Sequence, residues 1–174
     1  MPAVFSYKCK CCDEIHEGAP SFGFVAPGYY EWLTAEQKAS SGWITEDLCT
    51  VTLEGHTDFF IRTVLEIPIH GASEPFIWGV WVSVSEKSYK RYVDTRDAPA
   101  EGDGFFGWLA NDIPYYPPGG PFAANVFLQP EGLRPVVELQ EGECEDHPLV
   151  VDQRQGITPT KAQDIGEFML HRAK

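Results

Sequence analysis

The sequence predicts an α+β fold: a mainly antiparallel sheet with a few peripheral helices and a Cys/His knuckle near the N-terminus. Three observations carry that expectation. Residues 59–69 and 76–84 both alternate apolar and polar side chains with period two, and they flank the short turn Gly71-Ala72-Ser73-Glu74. That is the pattern of an antiparallel hairpin with one covered face. Further strand signals, separated by Gly- and Pro-rich stretches, lie on both sides of the hairpin. Helix starts are few and sit between strands or at the end of the chain.

The first strand is expected over residues 4–10, where Phe5, Tyr7 and Cys9 share one face. A Gly/Pro-rich loop follows over 18–28. Thr34 can cap a short helix over 35–39, and Gln37 stands three residues later, as a capping box requires. Residues 48–53 form the next strand, and His56-Thr57-Asp58 is read as a turn. In the hairpin, Phe59, Ile61, Leu65, Ile67 and Ile69 point one way, with Arg62 and Glu66 towards water. Its second strand places Phe76, Trp78, Val80, Val82 and Val84 on one face.

Ser85 is a helix N-cap, with Glu86 placed for the helix dipole and Tyr89, Tyr92 and Val93 at helical spacing on one face. Residues 105–109 are apolar and can join the sheet. Pro114, Pro117, Pro118, Gly119, Gly120 and Pro121 make 112–122 irregular. Residues 125–129 and 133–139 are two further strands. Thr158-Pro159 starts a C-terminal helix with the stripe Ala162, Ile165, Phe168 and Met169.

One domain spanning residues 1–174 is expected from this length and from 43% hydrophobic residues. A net charge of −13 argues against nucleic-acid binding, which needs cations to replace phosphate counterions, and an acidic face repels anionic membranes. A protein partner is expected to be basic or neutral. Lys8 and Lys10 interrupt any leader-like apolar run, and no stretch approaches the roughly 20 residues of a membrane helix. Five cysteines, three of them within residues 9–12, do not resemble a secreted disulfide framework. The expected setting is therefore the reducing cytoplasm.

The sharpest chemical feature is Cys9-Lys10-Cys11-Cys12-Asp13-Glu14-Ile15-His16. Thiols two residues apart can close a knuckle that brings both sulfurs to one tetrahedral ion at about 2.3 Å. His16 can add a nitrogen. Cys49 is the expected fourth ligand, with His147 and Cys144 as fallbacks, and the metal would be a structural zinc. Plain packing of the thiols and redox chemistry are the other two readings. Redox is the weakest, because Asp13, Glu14 and Glu17 oppose a thiolate.

The other motifs carry less. Gly102-Asp103-Gly104-Phe105-Phe106-Gly107 has the letters of a dinucleotide loop, but no strand precedes it and Asp103 would repel a pyrophosphate. His147, beside Glu141, Glu143, Glu145 and Asp146, is a candidate general base or a solvated loop residue. Arg134 either binds an anion or is an exposed strand charge. Trp78, Trp81 and Trp108, with Tyr115 and Tyr116, either line an apolar site or fill the core; Trp78 and Trp81 face opposite sides of one strand.

Phe5-x3-Cys9-x2-Cys12-x3-His16, Phe59-Phe60-Ile61-Arg62, Trp78-Gly79-Val80-Trp81-Val82-Ser83, Arg134-Pro135 and His147-Pro148-Leu149 through Gln153-x2-Gly156-Ile157 together resemble the uncharacterised bacterial DUF2199 family. The resemblance implies a single full-length domain and transfers no activity. Two functions follow as expectations. The first is a non-enzymatic binding or interaction protein with a structural Cys/His site. The second is a metal-dependent or acid/base enzyme that uses that cluster or His147.

Overall fold

The computed structural model describes residues 4–142 and 144–172. It has an α+β architecture in which antiparallel pairings predominate. The hairpin β6 (His56–Ile67) and β7 (Phe76–Val84) is its spine. Their register runs from Phe59 opposite Val84 to Ile67 opposite Phe76. This places Ile61, Thr63, Leu65 and Ile67 on the face shared with Phe76, Trp78, Val80 and Val82, all at 0% exposure.

That pair does not end an open sheet. β7 continues to β8 (Gly104–Leu109), then β9 (Ala123–Phe127), then β10 (Val136–Leu139), each pairing antiparallel. β10 returns to β6 in parallel through Val136 and Val64. Five strands thereby close a barrel around Ile61, Leu65, Trp78, Val80, Val82, Ala124, Val126 and Val137. β5 (Leu48–Leu53) and β4 (Gly42–Ile44) extend the sheet from β6, and β3 (Ser21–Gly23) pairs in parallel with β7.

The opposite face of β5–β6–β7 has its own apolar cluster. By the same parity that turns Ile61 inward, Phe60, Cys49, Val51 and Trp81 turn outward, where Leu33, Phe24 and Tyr30 cover them. Leu33 and Tyr30 belong to the segment around α1 (Gly28–Glu31) and α2 (Ala35–Ser41). Trp78 and Trp81 are thus both core residues, one in each cluster. The Trp81 indole donates to the Phe24 carbonyl at 3.0 Å, and Asn111 bridges Trp81 N–H and the Ala26 carbonyl.

Local signals set the helices as expected. Thr34 and Gln37 form a complete capping box on α2. Ser85 caps α3 (Glu86–Thr95) and Thr158 caps α5 (Pro159–His171). Four expectations need correction. His56-Thr57-Asp58 opens β6 opposite β5 rather than forming the turn, which sits one step earlier with Glu54 and Gly55 at positive φ. Val93 and Phe168 lie 41% and 42% exposed instead of in the core. Residues 148–155 form a helix, α4 (Pro148–Gln155), that the sequence does not announce. Residues 133–135 precede β10 rather than belonging to it.

α4 also explains how the barrel closes. β6 and β10 diverge after their single register pair. The Gln153 side chain then fills the vacated place on β10, accepting from Leu139 N–H and donating to the Val137 carbonyl, both at 2.8 Å. A parallel strand would make the same two bonds.

Candidate metal centre

The N-terminal hairpin, β1 (Ser6–Lys8) with β2 (Ile15–Glu17), is a separate two-stranded sheet. Three pairs of residues cannot hold such a hairpin in water without further packing. Its odd-numbered face supplies that packing: Phe5, Tyr7 and Cys9 are buried in the main core cluster. The loop between the strands is tight. Cys9 N–H donates to the Glu14 carbonyl, Asp13 N–H donates to the Cys9 carbonyl, and Asp13 takes a φ of 62°.

α5 holds this loop through one row of polar side chains spaced four residues apart, which places them above one another on a helix face. Gln163 donates to the Lys8 carbonyl at 3.0 Å, and Glu167 accepts from Lys10 N–H at 2.7 Å. His171 Nε2 lies 3.2 Å from Cys9 Sγ. Gly166 makes the approach feasible, because a Cβ there would lie 2.6 Å from the Tyr7 hydroxyl.

The result is a cluster. Potential ligand atoms of Cys9, Cys12 and His171 all lie within 4.8 Å of one another, and those of Cys12, Glu14 and His16 form a second such group sharing Cys12. Cys12 Sγ is 3.5 Å from His16 Nε2. A tetrahedral zinc with sulfurs at about 2.3 Å and nitrogens at about 2.0–2.1 Å sets its ligand atoms about 3.3–3.8 Å apart. The two sulfur–nitrogen contacts are close to that spacing. His16 also stacks on Tyr7, with ring centroids 5.2 Å apart.

The electrostatics favour a thiolate at one position. Burial pushes the Cys9 thiol up, but the backbone N–H groups of Cys11 and Cys12, with the Cys12 side chain, outweigh it and bring the thiol below its ordinary value. The Glu167 charge opposes the Cys9 thiolate but is outweighed by these donors. At Cys12 the Glu14 backbone hydrogen bond lowers the thiol, but burial, the hydrogen bond with Cys9 and the Cys9 and Glu14 charges together outweigh it, and the thiol is raised. Burial and the charge on Cys9 raise Cys11. Glu167 sits below the ordinary carboxylate range, held there first by the Gln163 amide and then by Lys10 N–H.

Of the residues singled out in the sequence, Cys9 and Cys12 share one group, whereas His16 meets Cys12 in the other and is in no group with Cys9. Cys49 is elsewhere. It pairs with Phe60 and lies at 0% exposure in the second cluster, where burial raises its thiol to about 12. The place beside Cys9 that was expected of Cys49 belongs to His171. His147 caps α4: its Nδ1 accepts from Leu149 N–H at 3.2 Å, and its Nε2 lies 3.0 Å from the Pro117 carbonyl. Both ring nitrogens are thus engaged. Cys144 is in neither ligand group, and Glu143 lies outside the described residues. Arg134 pairs with Asp47 at 2.7 Å. The Gly102–Gly107 motif runs into β8, with Arg91 paired to Asp103. Tyr115 and Tyr116 pack edge to face, and Tyr116 donates to Asp152.

A family profile described as an uncharacterized protein conserved in bacteria (DUF2199) matches residues 8–157, and the chain belongs to that family. Cys9, Cys12 and His16 lie inside the matched segment; Glu167 and His171 lie beyond it. No curated protein and no solved structure matches the chain. Among the described residues no helix is long and apolar enough to cross a membrane.

Proposed function

We propose that this DUF2199 chain is a non-catalytic interaction domain whose N-terminal hairpin is clamped to α5 by one zinc ion. Cys9, Cys12 and His171 would supply three ligands, and His16, which meets Cys12 in the adjoining group, would swing in as the fourth. The observation that carries the reading is the meeting of Cys9, Cys12 and His171 within 4.8 Å of one another, although His171 is 162 residues from Cys9. Two thiolates with imidazole nitrogens suit zinc better than hard cations, which take oxygen ligands. A closed set of four ligands leaves no position for substrate. The engagement of both His147 nitrogens also supports a non-catalytic role.

Metal analysis of untagged, reduced protein tests this. One zinc per chain is expected after dialysis, with loss in Cys9→Ser and His171→Ala and retention in Cys49→Ser. Cobalt substitution should give the thiolate charge-transfer band of a tetrahedral Cys/His site. Failure of the reduced protein to take up zinc, or full uptake by a Cys9→Ser/His171→Ala double variant, would overturn the assignment.

A further inference from the structure

A second surface, which shares no residue with the Cys9/Cys12/His171 cluster, has the chemistry of a docking site. The segment around α1 exposes Trp32 at 81%, Val25 at 77% and Tyr29 at 38%. An exposed tryptophan on a floppy loop would mean little. This one is on a pinned segment: Leu33 is buried in the second cluster, Gly28 N–H donates to the Ala110 carbonyl, and the buried Asn111 side chain joins the Ala26 carbonyl to Trp81 N–H. Rigid, exposed aromatics are the residues that anchor protein interfaces, because they bring contact area at little entropic cost.

Two shallow cavities adjoin Trp32. One, of about 400 Å³, is lined by Phe24, Val25, Trp32, Glu31 and Asp112 among others. The other, of about 240 Å³, is lined by Tyr29, Trp32, Asp112, Pro121 and Phe122 among others. Neither lining includes a Lys, Arg or His. Asp112 is exposed and makes no ion pair or hydrogen bond among the described residues, and Glu31 reaches Lys38 only at 3.8 Å. An indole face beside one unpaired carboxylate and a second in a long ion pair, on a chain of net charge −13, is complementary to a side chain with both a cation and an apolar stem.

We propose that the Trp32 surface docks a basic segment of a partner protein, with an arginine or lysine lying on the Trp32 ring and paired with Asp112 and Glu31. This deepens the reading as an interaction domain and does not depend on the metal, so the zinc count and the binding test can fail separately.

The probe is an acetylated, amidated tetra-arginine peptide, titrated into the full chain with indole-labelled tryptophan and followed by the five indole N–H signals. The Trp32 signal is expected to shift first and furthest. Trp32→Ala should weaken binding at least tenfold, and Glu31→Gln/Asp112→Asn at least fivefold more than Glu66→Gln/Glu138→Gln, which removes the same charge elsewhere. Equal losses from the two charge pairs would reduce the effect to net charge and overturn the site, as would an unmoved Trp32 signal in the wild-type chain. A dimer in sedimentation that Trp32→Ala abolishes would place a second copy there and overturn the basic partner. Near-ultraviolet circular dichroism reports whether the variants stay folded.

Discussion

Glu167 joins the two ends of the chain, and its replacement reads that joint directly. Its carboxylate accepts from Lys10 N–H at 2.7 Å and from Gln163 Nε2 at 2.8 Å. A hydrogen bond to a charged group contributes about 1.5–3 kcal/mol. The Gln163 amide keeps its bond to the Lys8 carbonyl, so the Lys10 bond dominates the loss, and Glu167→Ala should cost about 2–3 kcal/mol. Glu167→Gln keeps a carbonyl oxygen for Lys10 N–H but loses its charge, which lowers the cost to about 1–1.5 kcal/mol. The folded pKa of Glu167 is depressed. Its contribution is therefore present above the ordinary glutamate value of about 4.3 and disappears as pH falls through the lower folded value. Urea unfolding of metal-free protein in chelator should show the wild-type advantage over Glu167→Gln at pH 7 and its decay below about pH 4. A Gln variant equal to wild type at pH 7, or a difference that persists at acid pH, would refute the reasoning.

Three other substitutions test how the frame is held. Gly166→Ala should displace Tyr7, whose hydroxyl lies 2.6 Å from the new Cβ, and speed amide exchange at residues 6–8 more than in the barrel strands; uniform exchange would contradict the hairpin's docking on α5. Gln153→Leu removes both partners of the β10 edge, and calorimetry should record a loss of about 2–3 kcal/mol, reduced from the full penalty because the edge borders an open cavity. Asp152→Ala strands the Tyr116 hydroxyl and Lys161, which lie 2.8 and 2.7 Å from it, and should cost about 2–4 kcal/mol in urea unfolding.

The parts of the fold legible in the sequence are those written in local chemistry. Thr34 with Gln37, Ser85 and Thr158-Pro159 are cap signals whose physics lies within four residues. The alternation from Phe76 to Val84 needs only the strand period. Closure of the barrel rests on one parallel pair, Val136 with Val64, between segments some 70 residues apart in the chain, and no local pattern encodes it. α4 escaped because its cap is a histidine before a proline and its buried residues, Leu149, Val150 and Asp152, do not form an apolar stripe. At the site, Cys9, Cys12 and His16 are visible by spacing. His171 is not, because the face it shares with Gln163 and Glu167 is polar and the hydrophobic periodicity of α5 marks a different side. Parity carried the information about Cys49: its strand partner Phe60 faces away from Ile61, so Cys49 faces away from the core that holds Cys9.

The span between Cys9 and His171 decides what a metal would do here. A cross-link stabilises by removing conformations from the unfolded chain, and the effect grows with the loop that it closes. For a separation of 162 residues the chain-entropy relation gives a ceiling of about 5 kcal/mol. A metal held by Cys9, Cys12 and His16 alone would close only the short turn between β1 and β2 and would leave the barrel's unfolding almost untouched. The two ligand sets therefore separate by cooperativity. If His171 is a ligand, zinc raises the midpoint of the single global transition, and His171→Ala removes that rise while Cys9, Cys12 and His16 remain. If it is not, zinc slows exchange at residues 6–17 and leaves the global midpoint where it was, and the hairpin would then depend on Glu167, Gln163 and the packing of Tyr7 for its place on α5.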